Sequence, residues 1–265
     1  MTTPSGGSSL GMTGNTPLVF TPRPLWKRFL LSLPGIGWAI RRWRDSLARS
    51  RFDGSAHYWT RRYERGGDSG SGSHGALAAF KAEVLNGFVE EEGVKSVIEF
   101  GCGDGNQLTL ARYDQYLGID ISPEAVARCR RLFANDSSKR FVLLAEYVNE
   151  TAELALSLDV VFHLVEDSVY EDYLERLFKS AERFVAIYSS NDDDNTRQFG
   201  SHVRHRQFTS WIETRRPEWH LLRRIPNRFP FDAATGAGSF ADFYLFHRRR
   251  PSDRTSSDFP ELLSV

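Results

Sequence analysis

From Tyr58 to residue 250, short apolar runs alternate with stretches of helical period. Val97–Phe100, Tyr116–Asp120, Phe141–Leu144, Leu154–Leu158 and Phe184–Tyr188 are each four or five residues, too short for a helix and rich enough in apolar side chains for strands buried on both faces. Between them, Leu77–Glu91 carries Leu77, Phe80, Val84, Leu85 and Phe88 on one helical face. Ser122–Phe133 opens with Ser122-Pro123, a cap followed by the residue whose fixed φ suits the first helical position. This alternation predicts an α/β architecture, a doubly wound and mostly parallel sheet with helices on both faces. After Tyr188 the period changes to a polar loop (Ser189–Gly200), a short helix over Phe208–Arg215, and two candidate strands, Trp219–Ile225 and Phe240–Phe246. Two strands with no helix between them predict an antiparallel pair at the sheet edge, seven strands in all with the last one antiparallel.

The flanks read differently. Residues 1–22 are a Gly/Ser/Thr/Pro mixture that cannot bury enough apolar surface to offset its ordering entropy, which predicts disorder, and residues 251–265 read as a flexible tail. Between them, 23–57 is a basic, Trp-rich helical extension and 58–250 the main domain. Phe29–Ile40 is apolar but interrupted by Pro34 and well short of the roughly 20 residues that span a bilayer. It runs straight into Arg41-Arg42-Trp43-Arg44 rather than a cleavage site, so export is not expected.

Thirty-four basic and thirty-four acidic side chains cancel, and no global field draws nucleic acid or anionic lipid. The cancellation is uneven. Residues 23–51 hold eight Arg or Lys against one acid, and 197–250 eleven Arg against four acids. Residues 24–51 therefore read either as an interfacial helix making peripheral contact with the inner face of a membrane, or as a helix packed on the domain with its arginines in water. Two cysteines, Cys102 and Cys129, are too few for a disulfide framework and point to a reducing, cytoplasmic setting. The basic blocks are separated and no RNA-binding module is present, so a nucleic-acid partner is not expected.

The chemistry concentrates after the first strand, in Glu99-Phe-Gly101-Cys-Gly103-Asp-Gly105-Asn106. Spaced glycines permit positive φ and close approach of a ligand to the backbone. The spacing is G-x-G-x-G, with Asn106 where a dinucleotide-binding turn would want its third glycine, and there is no Gly-Lys-Ser/Thr phosphate loop. Fifteen residues past Gly105, the second strand ends in Asp120, whose two oxygens suit two ribose hydroxyls. Glycine turn plus strand-end acid reads as a nucleoside site.

These residues resemble the class I S-adenosylmethionine-dependent methyltransferases, whose first motif, acid-x-G-x-G-x-G, is matched by Glu99–Gly105. The resemblance covers Tyr58 to residue 250 and implies a methyltransferase-type Rossmann-like fold with S-adenosylmethionine as cofactor. It implies Gly101, Gly103 and Gly105 beside the methionine part, Glu99 steadying the turn or the amino group, Asp120 on the ribose, and Glu146, in Ala145-Glu146-Tyr147, near the adenine. Leu158-Asp159-Val-Val-Phe-His163 is similar to the family's hydrophobic-acid-x-x-x-His segment. It places Asp159 and His163 at the mouth of the site as the catalytic pair, His163 reading equally as a residue at a helix start. Some ubiquinone-pathway relatives carry a second carboxylate just before that His and use a metal; here the residue is Phe162, and no metal is expected. The Gly66–Gly75 stretch reads as a lid over the cofactor or as a plain linker. Arg204, His205 and Arg206, after the fifth strand, read as an anion clamp on the acceptor or as a solvated basic turn. The expected function is methyl transfer to a hydroxyl of a small-molecule, glycan or lipid-linked acceptor. The alternatives are a protein or nucleic-acid methyltransferase, or a silent protein that only binds the donor.

Overall fold

The computed structural model describes residues 52–196 and 200–249. The chain divides into two units, 1–47 and 48–265, and the described residues all belong to the second. The disorder expected for 1–22, the extension up to residue 51 with its membrane contact, and the tail 251–265 lie outside the described residues. Helix α1 spans Ser55–Glu64, so the boundary expected at Tyr58 falls inside a helix.

Seven strands form one sheet in the order β3-β2-β1-β4-β5-β7-β6. They are β1 (Ser96–Phe100), β2 (Gln115–Asp120), β3 (Lys139–Leu143), β4 (Ala152–Leu158), β5 (Ala181–Ser189), β6 (Trp219–Ile225) and β7 (Asp242–Arg248). The first five pair in parallel, and β7 runs antiparallel to both β5 and β6. Phe243 and Leu245 of β7 pack on one face, Tyr244 and Phe246 on the other, which is why this strand lies inside the sheet while β6 forms the edge. Edge strand β6 is guarded by charge: Arg223 pairs with Glu91 at 2.9 Å and Arg224 with Asp242 at 2.7 Å.

Each sheet face carries its own core. Helix α2 (Gly75–Glu92) and helix α3 (Pro123–Leu132) bring Phe80, Leu85, Phe88, Val126 and Cys129 onto Val97, Tyr116, Leu154 and Leu156. On the opposite face, helix α4 (Asp167–Ser180) and helix α5 (Phe208–Arg215) lay Leu174, Leu177, Phe178 and Ile212 on Ile98, Phe100, Ala155 and Val185. Capping follows the sequence. The Ser122 hydroxyl accepts the Ala125 N–H at 3.3 Å with Pro123 in the first turn, and α2 stops at Gly93, which takes φ 62°.

One connection departs from the general alternation of strand and helix. The glycine turn leads not into an α-helix but into a single 3₁₀ turn, Gln107–Leu110, before β2 begins at Gln115. Three positive-φ glycines use up the start of that connection, and too few residues remain for a helix long enough to pack. A second 3₁₀ turn, Leu144–Glu146, stands between β3 and β4. Among the described residues no helix is long and apolar enough to cross a membrane.

Candidate active site

The chain leaves β1 for β2 and β3 on one side and returns through β4 on the other, so a crevice opens above the C-terminal ends of β1 and β4. A cavity of ≈ 280 Å³ occupies it. It is lined by the turn at Gly101 and Gly103 with Glu99 and Asp120; Ile121 and Leu144, after β2 and β3, add apolar side chains on one side of β1, and Asp159, after β4, adds with Lys81 polar ones on the other.

Gly101, Gly103 and Gly105 all adopt positive φ, 86°, 59° and 80°. Gly101 and Gly103 border the cavity; Gly105 instead packs on α3, where an added Cβ would lie 3.0 Å from Cys129 Sγ and from Phe133. Asp120 is buried and tied to the turn: Gly103 N–H donates to Oδ2 at 2.9 Å and Ser122 N–H to Oδ1 at 2.8 Å. Burial raises its pKa against backbone hydrogen bonds from Ser122, Gly103 and Ile121, and the carboxylate borders the cavity. Glu99, also buried, accepts the Tyr116 hydroxyl at 2.5 Å, and burial pushes its carboxyl up to about 7.

Polar residues of the same turn hold the cavity's roof. Asp104 accepts the Ser69 N–H at 3.0 Å while its own N–H donates to Ser69 Oγ at 3.1 Å. Asn106, in place of a glycine, donates to the Ser73 carbonyl at 2.5 Å. From α3, Arg128 donates to the carbonyls of Gly67 (2.7 Å) and Tyr63 (2.8 Å). The Gly66–Gly75 segment is therefore laid across the glycine turn, with Ser69 and Ser73 facing the cavity beside Trp59 and Tyr63 of α1. At the far end of α1, Ser55 donates N–H and hydroxyl to the two Glu166 oxygens at 2.8 and 2.6 Å.

Asp159 and His163 both line the cavity. Asp159 takes a left-handed φ of 59°, its N–H held by the Tyr188 carbonyl at 3.0 Å. Its Oδ2 accepts from Lys81 Nζ at 2.6 Å, and the Lys81 side chain is 1% exposed. His163 closes the 3₁₀ turn Val161–His163. Its Nδ1 lies 2.9 Å from the His202 carbonyl, which can only accept, so Nδ1 carries the proton and Nε2 offers a lone pair. Burial lowers its pKa to about 3, and the ring stays neutral. The Trp59 ring stands edge-on to it at 4.8 Å.

Other predicted residues fall elsewhere, and the anion clamp is corrected. Arg204 donates to the Val165 carbonyl at 3.0 Å and to Asp167 at 2.9 Å. Arg206 binds the carbonyls of Leu164 and Val165 and Asp167, over the Tyr170 ring. Both guanidinium groups tie down the backbone leading from His163 into α4, where carbonyls would otherwise be left without donors. Neither lines the cavity. His205 is buried, its Nδ1 2.7 Å from Ser190 Oγ. Glu146 accepts the Leu143 N–H at 3.0 Å and pairs with Arg130 at 3.3 Å, closing the 3₁₀ turn after β3, and Leu144 takes the place at the cavity. Among the described residues of the basic stretch, further arginines also pair with acids: Arg228 with Glu83 at 2.6 Å, and Arg216 with Glu175.

Lys81 is absent from the residues that the sequence singles out, although a signal exists. It stands four residues after Leu77 and four before Leu85, on the apolar stripe of α2, where a lysine needs a buried partner. Among the described residues no group of His, Cys, Asp and Glu is arranged to hold a metal ion.

A family model described as a methyltransferase domain matches residues 91–219. The N-methyltransferase NodS from Bradyrhizobium japonicum WM9, solved with S-adenosyl-L-homocysteine, aligns at a TM-score of 0.55 over 75% of this chain and 100% of that one, at 16% identity. The methyltransferase domain of bacterial CtHen1-C aligns at 0.51 over 65% and 98%, also at 16% identity. At such identity the likeness is one of fold. No curated protein sequence matches the chain.

Proposed function

We propose that this chain is a class I S-adenosylmethionine-dependent methyltransferase and that it methylates a hydroxyl of a small-molecule or glycan acceptor. The observation that carries this reading is one cavity bordered by the glycine turn, by Asp120 and by His163, whose Nδ1 is taken by the His202 carbonyl. Its chemistry suits the donor: two buried carboxylates for ribose and ammonium, positive-φ glycines that let a ligand touch the backbone, and apolar side chains for a purine. When bound, S-adenosylmethionine supplies an electrophilic methyl group on a sulfonium.

The protein's part is alignment and exclusion of water. The roof tied to Asp104 and Asn106 lies over the glycine turn and would shield a bound donor from water. His163 Nε2 accepts a hydrogen bond from the acceptor hydroxyl and so aims an oxygen lone pair. At its low pKa this ring takes no proton beforehand, but a protonated ether is a far stronger acid than an imidazolium, so transfer to Nε2 is downhill once the carbon–oxygen bond forms. The ion-paired arginines of 197–250 weigh against an RNA or DNA acceptor. The two free thiols fit a cytoplasmic location. Tritiated methyl donor incubated with cell fractions tests the reading: label in a base-stable ether of a glycan, lipid-linked sugar or small molecule supports it, and label only in protein or RNA overturns it.

Glu99 supplies a pH dependence. With its carboxyl at about 7, the free protein carries a proton there over much of the acid range, and an ammonium placed beside it favours the ionised form. Binding of S-adenosylhomocysteine is therefore expected to release a proton below pH 7 and to tighten as pH rises through 7, then level off. Calorimetry in buffers of different ionisation enthalpy measures the release, which the Glu99→Gln variant should lack.

A further inference from the structure

We propose that the Lys81–Asp159 ion pair is the receptor for the amino-acid half of the donor, with the Lys81 ammonium reading its carboxylate. The inference rests on the S-adenosylmethionine reading and adds a specificity residue to it. Lys81 Nζ has three donors; one goes to Asp159 Oδ2 at 2.6 Å, and the side chain borders the cavity with the rest. The Tyr188 ring beneath, 5.4 Å from Nζ, holds the ammonium in place without using a donor.

Charge decides which part of the donor belongs there. A buried cation beside the sulfonium would repel it, so Lys81 must serve the end that carries a negative charge. That agrees with its neighbours: Lys81 is held by Asp159, which follows β4, whereas the apolar Ile121 and Leu144 follow β2 and β3 on the other side of β1. A purely structural role explains less. Buried ion pairs contribute little net stability relative to apolar residues of the same volume, and position 81 lies on an apolar stripe where leucine would pack. Asp159 moreover holds a left-handed backbone conformation, which a non-glycine residue adopts at a cost. Above it Gly72 passes so close that a Cβ there would lie 2.8 Å from Asp159 Oδ2, so a side chain at that position would press on the pair.

Calorimetry on the full chain with three ligands tests the assignment: S-adenosylhomocysteine, its decarboxylated analogue, and 5′-methylthioadenosine, which lacks the whole amino-acid half. The variants are Lys81→Met and the double change Lys81→Met/Asp159→Asn, which leaves no buried charge unpaired and keeps the test open if the single variant unfolds. Wild type should prefer S-adenosylhomocysteine to the decarboxylated analogue by at least about tenfold. Both variants should lose about that factor for S-adenosylhomocysteine alone, binding the decarboxylated analogue no more than about twofold worse. Loss spread equally over all three ligands, or no loss, overturns the proposal. Wild type that binds none of the three overturns the cofactor reading instead.

Discussion

The Gly103→Val protein is expected to fold and to bind no measurable S-adenosylhomocysteine. Gly103 sits at φ 59°, where a β-branched side chain is strained whatever the space around it. Space is lacking as well: the first added carbon would lie 2.3 Å from Ser69 Oγ and 2.8 Å from Tyr63 Oη, the two hydroxyls that hydrogen-bond at 2.9 Å between α1 and the roof. Valine must push the roof away or twist the turn, and either movement breaks the Gly103 N–H bond to Asp120. The loss should exceed about a hundredfold, because a bond to a buried carboxylate and the closed roof go together. The strands beneath are untouched, so circular dichroism should match wild type while proteolysis at residues 64–75 accelerates. Affinity within about threefold of wild type would mean that the turn is not where the donor lies.

What the sequence made legible was whatever repeats locally. Strands β1, β2, β4 and β5 are buried on both faces and announce themselves as short, mainly apolar runs, and α3 carries its cap and proline in adjacent positions. Glu99, the glycines and Asp120 fall within one βαβ-like span, so their spacing alone indicates a shared edge. Long-range pairing did not show. Which carbonyls Arg204 and Arg206 satisfy is settled by a backbone stretch about forty residues earlier, and a basic cluster in sequence looks the same whether it holds a substrate or a loop. His163 was found by position, but its protonation state comes from burial and from the carbonyl of His202, neither of which is written beside it. Lys81 and Asp159 are 78 positions apart, and only the packing of α2 over the end of β4 makes them a pair. The lid reading of Gly66–Gly75 was undecidable from composition, because a Gly/Ser stretch is a linker until partners such as Asp104 and Asn106 fix it.

Asp120→Ala separates the nucleoside contact from everything else in the cavity. The carboxylate accepts from Gly103 and Ser122 and, in our reading, from the ribose hydroxyls, so the substitution both removes a charged acceptor from the ligand and frees two backbone donors that shape the turn. Loss of hydrogen bonds to a charged partner predicts a weakening of about 1.5–3 kcal/mol, roughly ten- to a hundredfold in Kd. The pattern across ligands matters more than the size. Ribose is common to S-adenosylhomocysteine and 5′-methylthioadenosine, so Asp120→Ala should weaken both alike, the opposite of the selectivity expected at Lys81. Analogues lacking the ribose hydroxyls complete a double cycle: they should bind wild type as poorly as the natural ligand binds the variant, with little further loss when the two changes are combined. Additive losses would place the ribose away from Asp120 and leave that carboxylate with a purely structural task, holding the glycine turn by its Gly103 and Ser122 hydrogen bonds.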